Sequence, residues 1–410
     1  NVNIRTREFP ARRQVNYSTS FGFGDRVLGQ TLPFAPRAGG ELFGNASANR
    51  RMPSAIAGAN FLGNVSQSQY NQMARQQRNV WSPSLRNGGV NGSFGMSTGG
   101  NNILGKRIGY VLSGNYGYSE EVRADERYAI GNQGANNTVV PLTEVRGQTG
   151  RASASWGGIA NLSTLVGRNS RLALNTTVTR SADNEARSDR GFDENLNDSI
   201  QRTTLRYVER GVATMTGSGE HQLSDRNRTA WAVTFGQTDR REPDRSDVVY
   251  ARTPEGPYQI LASLDGARRL YFDLQENNVT GQVDHTINLG DVAKQNTLKV
   301  GAYLRTTDRT ADAPIFAFIS RAGESVVRQT PDVIFGEAQA CDNCALINVQ
   351  PIGQAGSYLA SDRTAAGYLM SDIGLGSRVR MIAGARLEQA RITVDASTQG
   401  GFTTTATLDN

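Results

Sequence analysis

The chain has 410 residues, 37% of them hydrophobic, with a mean hydropathy of −0.47 and a formal net charge of +6. No apolar run approaches the ~18 residues of a membrane helix, which excludes a helical membrane protein but not a barrel, whose wall is apolar only at every second residue. The arginines are scattered and mostly neighbour acids, as in Asp225-Arg226, Arg240-Arg241-Glu242 and Asp244-Arg245, and no basic stripe is interleaved with aromatics, which argues against nucleic-acid binding.

The first residues, NVNIRTREFPARR, lack the apolar stretch of a signal peptide. From Gln14 a period of two begins, the mark of an extended strand with unlike faces. Val15, Tyr17, Thr19, Phe21 and Phe23 alternate with polar or small residues. Val90 to Thr98 does the same, followed by IGYVLSGNYGYS at Ile108–Ser119 and by Leu172, Leu174, Thr176 and Val178. Trp231, Val233 and Phe235 come next, then Val279, Gly281, Val283, His285, Ile287 and Leu289, and finally Val379 to Leu387. The pattern predicts about eleven strands, near 14–24, 89–98, 106–119, 150–166, 171–182, 203–223, 229–240, 272–289, 297–308, 364–373 and 379–394. Segments 150–166 and 203–223 alternate poorly. The C-terminal TTTATLDN is expected to carry no closing strand, and both ends read as cuts.

Connections at 99–105, 167–170, 224–228, 290–296 and 374–378 are short and polar. Those at 25–88, 120–149, 183–202, 241–271 and 309–363 are long. Short and long alternate without exception, so an up-and-down meander has tight turns at one end and large loops at the other. Outer-membrane barrels have this asymmetry, and a soluble sandwich has no reason for it. The expected fold is an all-β, antiparallel, up-and-down transmembrane β-barrel whose apolar face meets lipid. Tyr110, Tyr116, Tyr118, Phe21 and Phe23 are expected on the lipid face and its aromatic girdle. A membrane sheet must close, and bacterial single-chain barrels have even strand numbers. Eleven strands therefore imply part of a larger barrel.

Val2, Asn3, Ile4, Thr6 and Arg7, followed by Glu8-Phe9-Pro10, resemble the end of the plug domain of TonB-dependent outer-membrane receptors. WGGIANLS at Trp156–Ser163, TVTRSADNEAR at Thr177–Arg187, LRYVER at Leu205–Arg210, RRLYFDLQE at Arg268–Glu276 and Ala365–Glu388 are similar to barrel segments of that family, especially the large receptors of Bacteroidetes-like bacteria. The resemblance implies a 22-stranded barrel in the outer membrane that imports a scarce nutrient, such as a siderophore, cobalamin or an oligosaccharide. Its partners would be outer-membrane lipid, a small nutrient ligand and the TonB complex, engaged through a plug and TonB box that this sequence lacks. Residues 1–13 would end the plug, and 14–410 would be the N-terminal half of the barrel. A structural or adhesive surface β-protein, a smaller passive pore and a barrel enzyme are the alternatives.

No cofactor, metal or catalytic set is expected. Cys341 and Cys344 form CDNC within the long 309–363 connection, with no second ligand pair nearby; in an extracellular loop a local disulfide is expected, ahead of free thiols or metal. Asp284 and His285 are neighbours on a strand and point to opposite faces, so they form no dyad. Acidic SDRGFDENLND at Ser188–Asp198 lacks EF-hand spacing and reads as a solvated loop. Tyr250, Tyr258 and Tyr271, in or beside a long connection, are the candidate ligand contacts.

Overall fold

The computed structural model describes residues 12–24, 26–101, 108–133, 139–252, 256–290, 296–353, 356–375, 379–397 and 403–409; the plug-like motif at 1–10 and most of the turn at 99–105 lie outside them. The protein is all-β. Twelve strands follow one another in a single antiparallel meander: β1 (Gln14–Gly22), β2 (Asn91–Gly100), β3 (Ile108–Gln133), β4 (Val139–Val166), β5 (Ser170–Asp193), β6 (Asp198–Ser224), β7 (Asn227–Arg252), β8 (Ala267–Asn288), β9 (Thr297–Asp312), β10 (Tyr358–Leu375), β11 (Val379–Ser397) and β12 (Thr403–Asp409). All eleven predicted strands are present, the two poorly alternating ones included. Among the described residues β1 pairs only with β2 and β12 only with β11, so the sheet is open.

Two expectations are corrected. The count of eleven strands rises to twelve: TTTATLDN holds Thr403–Asp409, which pairs with Arg391–Ser397, as its β-branched residues favour, but among the described residues it pairs with no strand that would close the sheet. Three of the five long connections are mostly strand. The segment 183–202 shrinks to a turn at 194–197, and 120–149 and 241–271 continue β3, β4, β7 and β8 outward. The alternation fades there because cross-strand ion pairs replace apolar contacts: Arg151 to Glu185 at 2.6 Å, Arg210 to Asp183 at 2.8 Å and Arg206 to Glu242 at 2.8 Å. Among the described residues only 25–88 and 309–363 contain true insertions.

β3 to β8 are 22 to 28 residues long. A strand needs ~9–11 residues to cross a bilayer, so each is at least twice that length. The register divides each strand in two, because directly paired residues share a face. In the half nearer the short turns one face carries Met96, Leu112, Leu162, Leu174, Met215, Phe235, Val279 and Leu304, which lie 39% to 63% exposed and belong to one continuous set of cross-strand pairs and diagonals. The opposite face is largely polar, with Asn161, Asn175, Gln282, the Thr216–Thr234 hydroxyl pair at 2.9 Å and the Arg305–Asp362 ion pair, though Val212 and Ile382 also lie on it. Beyond the apolar band, the first face turns polar as well, through Arg180, Asn184, Glu209, Arg241 and Asp273.

Candidate functional site

The two insertions, 23–90 after β1 and 313–357 after β9, fold together over this polar outer half. Their shared core holds Ile56, Met73, Trp81, Phe318, Ile334, Phe335 and Ile347, all at most 2% exposed. The Trp81 and Phe335 ring centroids stand 4.9 Å apart. Helix Gln67–Gln76 is opened by a capping box: Ser66 Oγ accepts from Gln69 N–H at 3.3 Å, and Gln69 Oε1 accepts from Ser66 N–H at 2.8 Å. Asn71 on this helix donates to the carbonyls of Cys341 (2.6 Å) and Cys344 (2.8 Å), tying one insertion to the other.

Backbone groups of the first insertion dock on wall side chains. Trp156 Nε1 donates to Phe43 O at 2.9 Å, the Tyr116 hydroxyl donates to Leu42 O at 2.8 Å, Arg180 Nε donates to Gly44 O at 2.8 Å, and Ala46 N–H donates to Glu209 at 2.7 Å. Tyr116 and Tyr118 thus share the apolar residues' face but bond to protein, since the insertion covers them; the Tyr118 hydroxyl meets Glu120 and Arg37. Tyr17, Phe21 and Phe23 stay 69% to 81% exposed.

Charged residues lock the interface. Arg50 and Glu41 pair at 2.5 Å, both buried. Arg269 and Asp244 pair with both side chains buried; Arg269 also donates to Arg78 O (2.8 Å) and Val80 O (3.0 Å) and stacks 3.9 Å over Trp81. Asp244 takes the left-handed conformation, φ 60°, which Asp tolerates better than most residues. Glu120 accepts from Arg86 (2.9 and 3.1 Å), Arg37 (2.6 Å) and Gly89 N–H (2.8 Å). Burial alone would raise its pKa, but these donors outweigh that and hold it at about 2. None of these partnerships stood out in the sequence. Each member is an ordinary Arg, Asp or Glu in a polar stretch, and only the fold brings the partners together.

No family model, curated protein or solved structure matches this chain.

The three candidate tyrosines separate. Tyr271 is 8% exposed inside the core, its hydroxyl beside Asp244, and burial pushes its phenol pKa up. Tyr250 packs against the same core and donates to Gln329 O at 2.6 Å. Tyr258 lies apart, its ring 5.0 Å from the Arg252 guanidinium. A cleft of about 380 Å³ opens where the insertion meets the wall, lined by Ser47, Arg50, Glu209, Arg241, Asp273 and Asp312. Cys341 and Cys344 form a disulfide with Cα atoms 5.1 Å apart. Asp284 meets Lys299 at 3.2 Å and the Tyr368 hydroxyl, while His285 meets Thr229 at 2.9 Å from the other face. The 188–198 acids belong to β5 and its turn, where Asp189 pairs with Arg187 and Asp193 with Arg202. Among the described residues no group of acids, histidines and cysteines is arranged to hold a metal.

Proposed function

We propose that this chain is wall and ligand-capture surface of a TonB-dependent receptor in the bacterial outer membrane. The observation that carries the reading is the apolar band: concentrated on one face, with Val212 and Ile382 as exposed exceptions on the other, limited in height and continuous across neighbouring strands. A soluble sheet that hides one face in a core has no reason to stop the band partway up 22- to 28-residue strands. Lipid does, because its hydrocarbon layer is ~30 Å thick. The band would sit in lipid with the short turns on the periplasmic side. The polar outer halves and the two packed insertions would stand outside the cell. Since lipid offers no hydrogen bonds to an open edge, the sheet would belong to a closed barrel of about 22 strands. Ligand would be held on the insertions and hairpins and pass through the lumen by TonB-driven movement of a plug, with no chemistry done on it.

The chain's three tryptophans test the lipid contact. Trp231 lies on the apolar face, Trp81 is buried between the insertions, and Trp156 bonds to Phe43 above the band. In single-tryptophan variants reconstituted into brominated phospholipid, Trp231 fluorescence should be quenched strongly and Trp81 hardly at all. Equal quenching of Trp231 and Trp81 would overturn the proposal.

A further inference from the structure

At the outer end of β3 to β7 one register row runs through Arg127, Arg146, Arg190, Gln201 and Tyr250, each directly opposite the next. Residues paired in this way share a face, with Cβ atoms ~4.5–5.5 Å apart, and like charges so placed repel. Three guanidiniums in succession therefore need a counter-charge. Glu144 supplies one, meeting Arg127 at 3.0 Å and Arg146 at 3.1 Å. Their hydrogen bonds hold its carboxyl below the usual range. Arg190 is exposed and makes no ion pair among the described residues. Asp189, its neighbour, points to the other face and is engaged by Arg187 at 3.0 Å. Asp125, on the bulge of β3 with φ 57°, also lines the groove at this level, so Glu144 and Asp125 together still leave one guanidinium of the three in excess. A groove of about 470 Å³ runs at this level, lined by Arg146, Gln148, Ser188, Arg190, Gln201 and Thr203.

We infer that this row is a binding site for an extended acidic oligosaccharide, a short chain of uronate-type sugars lying across the strands. Neighbouring strands stand ~4.7–4.9 Å apart, an interval suited to one sugar ring per strand. Carboxylates along such a chain meet Arg127, Arg146 and Arg190 in turn, and planar guanidiniums match carboxylates. Gln148, Ser188 and Gln201 offer donors and acceptors to the ring hydroxyls. Tyr250, already fixed by Gln329, ends the row with an aromatic ring. A lone phosphate would engage part of the row and leave the remainder uncompensated. The inference rests on the receptor reading for the site's outward direction; binding itself needs no lipid.

The test is titration calorimetry of the full chain in detergent with a short oligogalacturonate, a neutral oligogalactoside of equal length and inorganic phosphate. The acidic oligomer should bind, and more weakly as salt rises. Arg146→Gln and Arg190→Gln should each weaken it roughly tenfold or more, the value of a lost charged hydrogen bond. Arg228→Gln, the same charge change near a short turn, should leave it unchanged. Unaltered tryptophan emission in each variant checks the fold. No binding of the oligogalacturonate, equal binding of the neutral sugar, equal affinity for phosphate, or unchanged affinity in both arginine variants would overturn the inference. Quenching of Trp231 relative to Trp81 by brominated lipid reads the receptor proposal separately. Selective quenching without binding overturns this site alone, and binding with equal quenching overturns the receptor reading alone.

Discussion

Arg269 on β8 and Asp244 on β7 form an ion pair in which the side chains are 0% and 1% exposed. Arg78 of the first insertion approaches the same carboxylate at 3.5 Å. The pair is therefore a joint between wall and insertion, not a surface contact. Removing Arg269 leaves Asp244 only the more distant Arg78, so the cost should approach the ~3–5 kcal/mol of a broken buried pair. Arg269→Met should destabilise by that amount, and it also strips Arg78 O and Val80 O of their donor. Urea unfolding followed by the emission of Trp81, on which Arg269 stacks, measures the loss. A change below about 1 kcal/mol would mean that the joint carries no load.

Glu120 gives the interface an acid limit. Its folded pKa of about 2 lies below the ordinary 4.5. A depressed carboxyl pKa stabilises the fold above the unfolded value and loses that contribution as pH falls through the folded one. The docking of Arg37, Arg86 and Gly89 on Glu120 should thus be intact at pH 7 and weaken between about pH 4.5 and pH 2, with ~3 kcal/mol at stake. Glu120→Gln should be less stable than the parent at pH 7 and show a smaller drop across that window. Parallel pH–stability curves for the two proteins would refute this.

The strands were legible wherever one face was apolar, because a period of two is visible only when the two faces differ. Val279 to Leu289 could be read directly, and the structure pairs Val279–Asn288 with β9 as one uninterrupted ladder. Arg187 to Arg190 could not be read as strand, since both faces there are polar. Its ladder to β6 is visible only once Arg187 is seen opposite Thr204 and Arg190 opposite Gln201. The fusion of the insertions was hidden for another reason. Asn71 and Cys341 lie 270 positions apart, and no local pattern announces that a helix side chain will meet a particular loop carbonyl.

The division of faces predicts unequal tolerance to charge. Val283 is 44% exposed on the apolar face, between Trp231 and Ala302 on neighbouring strands, whereas Gln282 points the other way and donates to Asp284 at 3.0 Å. Val283→Arg should cost ~2–4 kcal/mol if it lies near the bilayer midplane, and Gln282→Arg should cost little on a wet face. Folding into liposomes, scored by urea titration of the folded fraction, compares them. Equal costs would remove the support for a lipid-facing band.

The Cys341–Cys344 bridge closes a very short loop, so little chain entropy is at stake in it. Its carbonyls matter more, because both accept from the buried Asn71. Losing two hydrogen bonds and leaving those carbonyls unanswered should make Asn71→Leu cost ~2–4 kcal/mol. A Cys341→Ser/Cys344→Ser double variant should cost less than Asn71→Leu, provided the turn keeps its Cys344 N–H to Cys341 O bond of 3.0 Å. Proteolysis near 341–344 reads local release of the turn, and urea unfolding reads the global cost. On intact cells a membrane-impermeant maleimide should label the chain only after reduction, if this insertion faces outward and the bridge is present. Labelling before reduction, or none after it, would contradict one of those two conditions, and denaturing the reduced cells before labelling would identify which.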